Sequence, residues 1–280
     1  MLSRLAELLF WTGRYVERAD DTSRIVDAYM HRLAEDPSGD ATESRRALFT
    51  IMGLAPGDAP VDQGLVLDRL VYDRDDPSAI TGALLAAVDN ARRVREVISS
   101  EMWVCLNTTH TQLAPQRARA RRVGVSSYLQ FVRERAALFS GLTDATISRD
   151  ETWWFLVLGQ SVERIDMTAR LLESRLRSAR HAPDWLTLLR AAGAMESFLR
   201  ATTAGTEPAA VAAFLLLDRA FPRSAYHALA RADHCLGALS LADGRAGEVN
   251  QARGTIRRAQ VRLEYSDPRS VLEELAELLD

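Results

Sequence analysis

Apolar residues recur along the chain at the spacing of helices. Leu5, Leu9 and Val16 fall on one stripe when the chain is wound at 100° per residue. The stripe predicts a first helix from about Ser3 to beyond Leu33. No segment shows the regular alternation of apolar and polar residues that is typical of a strand. The pattern therefore predicts an all-α protein.

Turn residues and capping residues divide the rest of the chain into further helices. Asp76–Pro77 is typical of an N-cap and first turn, and Ser148 to Glu151 reads as a capping box. The predicted helices are Thr42–Met52, Asp76 through Glu101, Val125–Ser140, one from Glu151 onward, Asp184–Thr202, Glu207–Leu217, Pro222–Leu241, Ala246–Tyr265, and a last one capped by Asp267–Pro268.

One motif occurs twice in the sequence. Residues 13–24 read GRYVERADDTSR and residues 159–170 read GQSVERIDMTAR, so Glu17 and Glu163 lie 146 residues apart. A second match, YDRDDP at residues 72–77 and LDRAFP at 217–222, has an offset of 145. Two matches at nearly one distance indicate an internal duplication. We predict a helical bundle of two tandem pseudo-symmetric repeats, residues 1–143 and 144–280, packed as one compact unit.

The charged residues of each motif copy lie along one ridge of a helix, because they step by three or four residues. The ridge borders the apolar stripe, so we expect it at a helix interface. Gly13 and Gly159, at its start, would allow another helix to approach closely. The ridge residues are Glu17, Asp20 and Arg24 in the first copy and Glu163, Asp166 and Arg170 in the second.

Two interpretations of this ridge remain open. The first is an ion-pair network that sets the register of packed helices. The second is a polar cleft in which Glu17 and Glu163 meet, bind a peptide terminus or act as a general base. In that cleft, substrate or a partner would be bound by Arg14, Arg18, Asp20, Arg24, Arg164, Asp166 and Arg170. The sequence does not decide whether the chain is an enzyme, nor whether the two motif helices face each other.

Signals for metal, thiol or nucleotide chemistry are weak. Asp20, Asp21 and Asp27 resemble a magnesium motif, but the second copy has Met167 in place of Asp21. The five histidines form no compact ligand set, the two cysteines have no paired spacing, and no phosphate-binding glycine loop is present. We therefore expect no metal and no cofactor.

Charge and hydropathy narrow the class of partner. A net charge of −3 argues against a protein that coats nucleic acid or an anionic membrane. The basic segment Arg117–Arg122 is read as a link between helices, either a solvated face or a contact for an anion or an acidic partner.

The longest apolar run, Ala209–Leu217, is far shorter than the ~20 residues of a membrane span. With no secretion signal at the N-terminus, we expect a cytoplasmic protein.

Four segments together resemble the bacterial alpha-E domain family: Leu5–Tyr29, Asn90–Trp103, Glu163–Arg170 and Asp218–Ser224. Such proteins are typically encoded beside an ATP-grasp amide ligase and a transglutaminase-like peptidase, which the resemblance implies as partners. It implies a role in making, presenting or removing an amide-linked peptide. The family takes its name from a glutamate. By their position in the motif, Glu17 and Glu163 are the residues of this chain that correspond to it.

No ATP site is visible in the chain, so the resemblance does not imply that this chain performs the ligation. The duplicated ion-pair ridge, the lack of a recognisable catalytic site and the family context together lead us to expect a helical accessory or scaffold protein of the ligase system. The alternative is an enzyme of amide chemistry that uses the Glu17/Glu163 cleft. The reaction, the substrate and the oligomeric state are not given by the sequence.

Overall fold

The computed structural model of the chain describes residues 1–35, 41–55, 61–177, 184–202, 205–243 and 248–267. Within these ranges the chain forms twelve α-helices and no β-strand, so the all-α prediction is confirmed. None of the helices in the described ranges is both long enough and apolar enough to cross a membrane. The helix predicted after Asp267–Pro268 lies outside the described residues.

The helices follow one another with short connections. Their bounds are α1 Ser3–Glu35, α2 Ala41–Ile51, α3 Gln63–Val66, α4 Ile80–Arg93, α5 Ser100–Val123, α6 Ser126–Thr146, α7 Glu151–Arg177, α8 Trp185–Ala191, α9 Met195–Ala201, α10 Pro208–Leu217, α11 Ala225–Asp243 and α12 Glu248–Tyr265. A π-helical turn, Leu67–Tyr72, continues α3.

The two motif copies lie on the two longest of these helices, α1 with 33 residues and α7 with 27. α1 begins at Ser3, as predicted. At the start of α7 the predicted capping residue is wrong: the Asp150 side chain, not Ser148, accepts the backbone N–H of Thr152, at 2.9 Å. Asp150 directly precedes the helix and its carboxylate reaches a free N–H of the first turn, which is the role of a capping side chain.

The single helix predicted from Asp76 through Glu101 is wrong. α4 begins only at Ile80, after a turn in which the Asp76 carbonyl accepts the N–H of Ala79. The chain leaves the helix after Arg93, and the Ser99 hydroxyl starts α5 by accepting the N–H of Met102 at 3.1 Å. The basic segment 117–122 therefore lies within α5 and not between helices.

The helix predicted at Asp184–Thr202 is also interrupted. Gly193 adopts φ +61°, which ends α8, and α9 begins two residues later. The N–H of Ala194 returns to the carbonyl of Leu189 at 2.7 Å, the pattern of a helix closed by a left-handed glycine.

By their contacts the residues fall into two units. The first contains Met1–Ser23, Asp68–Glu163 and Arg231–Ile256, and the second contains Arg24–Leu67, Arg164–Ala230 and Arg257–Asp280. Each unit draws on both sequence halves, so the spatial units are not the predicted repeats. The repeat boundaries, and the packing of the repeats as one unit, stay a prediction.

The first unit has two apolar clusters. In one, Leu9 of α1 packs with α4, α5, α6 and α7, including Met102 and Phe139. In the other, Trp153 of α7 packs with Cys235 of α11. Both clusters rest on the N-terminal half of α7, which fixes that helix beside the functional residues described below.

The second unit has an aromatic core of its own. Tyr29, Phe49 and Phe198 are among its fully buried side chains. Phe198 meets Phe214 edge-on, with ring centroids 5.4 Å apart, and Phe214 meets Phe221 at 5.2 Å. Such aromatic pairs contribute more than their buried area alone.

Candidate functional site

The N-terminal parts of α1 and α7 cross at two glycines. A Cβ atom on Gly13 would lie 2.1 Å from the carbonyl oxygen of Leu156, and one on Gly159 would lie 2.0 Å from that of Phe10. No side chain fits at such distances, so only glycine is accommodated at either position. The close helix approach expected from these glycines is confirmed, and the two motif helices face each other within the first unit.

Glu163 of α7 is held by two arginines of α1. Arg14 Nε donates to Glu163 Oε2 at 2.5 Å, while Arg18 donates from Nε to Oε1 at 2.6 Å and from Nη2 to Oε2 at 3.1 Å. Glu163 is 1% exposed, and the two arginine side chains are 17% and 16% exposed. The Arg18 pairing is bidentate, the geometry that a guanidinium and a carboxylate favour. We call this group of three residues the arginine clamp.

Aromatic rings and a backbone carbonyl hold the arginines of the clamp in place. The guanidinium carbon of Arg14 lies 5.2 Å from the centre of the Trp11 ring, and that of Arg18 lies 5.6 Å from the Tyr15 ring. Arg18 Nη1 also donates to the carbonyl of Pro77 at 3.4 Å. Stacked guanidinium groups lose less conformational freedom when they bind a carboxylate. The clamp is therefore pre-organised around Glu163.

Glu17, Asp20 and Asp21 form a buried acidic group on α1. Each offers a carboxylate oxygen, and these oxygens lie within 4.8 Å of one another. Such a set of hard oxygen atoms suits Mg²⁺ or Ca²⁺. Buried carboxylates this close otherwise require cationic partners, hydrogen-bond donors or protons. All three also interact with the surrounding protein, so they belong to its own polar network as well. The expectation of no metal stays a prediction.

The second unit contains the other predicted binding residues, Arg24, Arg164, Asp166 and Arg170. Arg170 Nε pairs with Asp166 Oδ1 at 3.0 Å, one helical turn away, and its Nη1 donates to the Ile51 carbonyl at 3.5 Å. Arg164 Nη1 donates to the Pro222 carbonyl at 3.4 Å. Arg164 and Arg170 thus join α7 to the turn at Pro222 and to the end of α2, within their own unit. The half-exposed Asp166–Arg170 pair contributes little stability, typically ~0.3–0.5 kcal/mol for this spacing.

Equivalent residues of the two motif copies make matching contacts. Arg18 and Arg164 each donate from Nη1 to the carbonyl of a proline, and both distances are 3.4 Å. The turns before those prolines also match, because the first aspartate of each accepts two backbone N–H groups within the turn. These aspartates are Asp73 and Asp218.

The sequence reasoning missed the aromatic support of the clamp. Trp11 and Tyr15 each stand three residues before the arginine that they stack on, and residues at this spacing are neighbours on a helix surface. The three-residue spacing could therefore have been used to predict the stacking of Arg14 on Trp11 and of Arg18 on Tyr15. An anion contact at Arg117–Arg122 was one of two interpretations of the sequence, but the pocket beside Arg117 and Arg121 was not predicted, since nothing in the local sequence indicates which residues face α5 there.

The two cysteines do not form a reactive site. Cys105 and Cys235 are both buried. Burial raises the pKa of the Cys105 thiol, and it raises the pKa of Cys235 to about 12. A protonated thiol is a poor nucleophile and metal ligand.

Comparison with known proteins gives a family match over the whole chain. The model of the Alpha-E family, described as "a predicted alpha-helical domain with a conserved ER motif", matches residues 1–280. Glu-Arg pairs occur in this chain at residues 17–18, 134–135 and 163–164.

Uncharacterized proteins of Mycobacterium bovis and of two Mycobacterium tuberculosis strains are similar to the chain. Each is 27% identical to it over 255 residues, a match that covers 81% of this chain and 29% of the relative. The chain thus spans less than a third of the length of these relatives. No solved structure matches the chain.

Proposed function

The chain belongs to the Alpha-E family, and we propose that it is a helical accessory or scaffold protein of an ATP-grasp amide-ligase system. The ligase would synthesise or modify a peptide, and a transglutaminase-like peptidase would be a second partner. Since the proposed ligase consumes ATP, we place the assembly in the cytoplasm. The observation that carries this proposal is the arginine clamp. In the clamp both carboxylate oxygens of the motif residue Glu163 are bound by arginines of the neighbouring helix, which is a structural role.

A general base needs a carboxylate oxygen that can reach the proton of a substrate. Both oxygens of Glu163 instead accept hydrogen bonds from Arg14 and Arg18, and the side chain has almost no contact with solvent. Ion-pair networks with a structural role are commoner than catalytic ones. The clamp therefore favours a residue that joins α1 to α7 over one that attacks or deprotonates a substrate.

The lengths of the relatives agree with an accessory role. In the mycobacterial proteins the matching region makes up 29% of the chain, so it is joined to a much longer sequence. A helical region that occurs as part of a longer chain suits a protein that works beside other domains or partners.

We also propose that residues 1–143 and 144–280 are two pseudo-symmetric repeats, each with one copy of the Glu-Arg-x-Asp-x-Thr-x-Arg motif, beginning at Glu17 and Glu163. The contacts at the two crossing glycines support this proposal, because they are reciprocal. Gly13 lies against Leu156, three residues before Gly159, and Gly159 lies against Phe10, three residues before Gly13. Arg24 and Arg170 add further support. Each approaches a glycine with positive φ, Gly193 and Gly53 respectively.

An enzyme of amide chemistry that uses Glu17 and Glu163 is the second candidate. The buried acidic group favours it, since Glu17, Asp20 and Asp21 could hold a cation that polarises a carbonyl oxygen. In this alternative Glu17 would bind the substrate or the metal ion. Glu163 would hold α1 and α7 in position beside it through its contacts with Arg14 and Arg18.

The two candidates differ in how they depend on the glutamates. We would delete the gene in its native host, follow the amide-linked product by mass spectrometry, and restore wild type, Glu17→Gln or Glu163→Gln. The scaffold proposal expects product from every variant that is still folded at the growth temperature. It also expects the ligase to co-purify with the chain. Loss of product with a folded Glu17→Gln protein would favour the enzyme, and normal product without the gene would refute both.

A further inference from the structure

A cationic pocket of about 190 Å³ lies in the first unit, beside the C-terminal half of α5. It is separate in sequence from the motif residues and plays no part in the proposed scaffold role. One helical face of α5, the turn before α4, the first turn of α4 and the start of α6 form its walls. The side chains that matter for binding are Arg117, Ala118 and Arg121 of α5, with Arg74, Thr81 and Tyr128 opposite.

This pocket contains three arginines, Arg74, Arg117 and Arg121. In the part of the chain that the structure describes, none of them forms an ion pair with a carboxylate. Arg117 is held instead by the ring of Tyr72, 4.6 Å from its guanidinium carbon, and its buried Nε–H has no acceptor among the described residues. Converging cations without a counter-charge are unusual, because they repel one another.

Two carboxylates next to Arg74 in the sequence accept backbone N–H groups of their own turn. Asp73 accepts the N–H groups of the two residues after Arg74, and Asp76 accepts that of Ser78 at 2.8 Å. These carboxylates keep their negative charges, but within the described residues none of them forms an ion pair with a pocket arginine. The guanidinium groups of the pocket are therefore not engaged by a carboxylate of the described chain.

The hydroxyl groups of the pocket wall are already paired with each other. Thr81 donates to the carbonyl of Val71 at 2.6 Å, so its oxygen must accept the hydrogen of Tyr128, at 2.8 Å. Burial raises the pKa of Tyr128 to about 12, and the nearby Arg117 and Arg74 only partly oppose that rise. The phenol stays neutral at physiological pH, so it does not cancel the arginine charges. The guanidinium groups are the donors left for a ligand.

We propose that this pocket binds a small ligand through a phosphate group. A phosphate ester carries about −1.5 to −2 charges and three acceptor oxygens. It can therefore bind three guanidinium groups at once, whereas a carboxylate has a single charge and two oxygens. A cavity of about 150 Å³ holds a benzene molecule. A pocket of about 190 Å³ therefore has room for a phosphate group and a few further atoms.

Calorimetric titration of the full chain with inorganic phosphate, at constant ionic strength in a buffer free of phosphate, tests the proposal. Arg121→Gln removes a pocket charge, and Arg122→Gln is the matched control, because both residues are exposed in the last turn of α5 and only Arg121 lines the pocket. We expect saturable binding that Arg121→Gln weakens by ~10-fold or more, the loss of one charged hydrogen bond. Arg122→Gln should change it by less than about 2-fold, since Arg122 does not line the pocket and its exposed charge is screened by solvent and salt.

Two further variants separate charge from shape. Arg74→Gln, on a different element, should weaken binding as Arg121→Gln does, and Ala118→Leu should abolish it by filling the pocket while keeping every charge. Circular dichroism melting confirms that each variant is folded. The proposal is overturned if phosphate does not saturate the chain, if both arginine variants of α5 weaken binding equally, or if acetate binds as tightly as phosphate.

Discussion

Alanine at Gly159 is the most direct test of the helix crossing. The new Cβ would lie 2.0 Å from the Phe10 carbonyl oxygen, and atoms of this kind are not found closer than about 3 Å. The two helices would have to separate by about 1 Å at this point. Glu163 lies one turn further along α7, so the same movement would stretch its 2.5 and 2.6 Å bonds to Arg14 and Arg18.

The size of the effect follows from three contributions. Overpacking typically costs ~1–3 kcal/mol, and weakening a buried ion pair adds a further share, up to ~3 kcal/mol. Alanine is the better helix former by ~1 kcal/mol, which offsets part of the loss. We therefore expect the free energy of unfolding to fall by roughly 2–4 kcal/mol.

Urea unfolding followed by circular dichroism measures this change. Gly141→Ala is the matched control, because Gly141 is a glycine inside α6 whose added Cβ would meet nothing within 4 Å. That variant should gain roughly 0.5–1 kcal/mol. If Gly159→Ala were as stable as Gly141→Ala, the backbones of α1 and α7 would not be in contact there and the described crossing would be wrong.

Three further predictions follow from individual contacts. Glu163→Gln should lower the free energy of unfolding by ~2–3 kcal/mol, since it removes the buried negative charge that Arg14 and Arg18 bind. A loss below ~0.5 kcal/mol in urea titrations would contradict the clamp. Because burial raises the pKa of Cys235 from 9.0 to about 12, the unfolded chain loses this proton first, so stability should decline between about pH 9 and pH 12. The decline should be shallower in Cys235→Ala, and equal slopes in urea titrations across this range would exclude the thiol as a cause. Asp184→Ala removes the side chain that accepts the N–H of Thr187 at 2.6 Å at the start of α8 and should cost ~1 kcal/mol; an unchanged melting temperature would show that this cap is not needed.

Local sequence signals were sufficient for the class of fold and for the start of α1. Helical periodicity is a property of neighbouring residues, so it can be read without knowing what the helix packs against. Helix ends were predicted less well, because several nearby residues compete to cap or interrupt a helix. Ser148 and Asp150 both had suitable side chains, and Ser99 and Gly193 interrupted runs that otherwise read as continuous helices.

The sequence by itself determined that charged residues lie on one ridge of each motif helix, and that two glycines begin those ridges. Only the tertiary structure decided their partners. Glu163 takes its counter-charges from Arg14 and Arg18, 149 and 145 residues away. Arg164 and Arg170, which belong to the second unit, instead donate to the carbonyls of Pro222 and Ile51 in that unit. The phosphate pocket likewise needs α5 and a turn more than 40 residues earlier in the chain. Periodicity states which face of a helix is polar, but an ion pair also requires that two faces meet, and that depends on the packing of the whole chain.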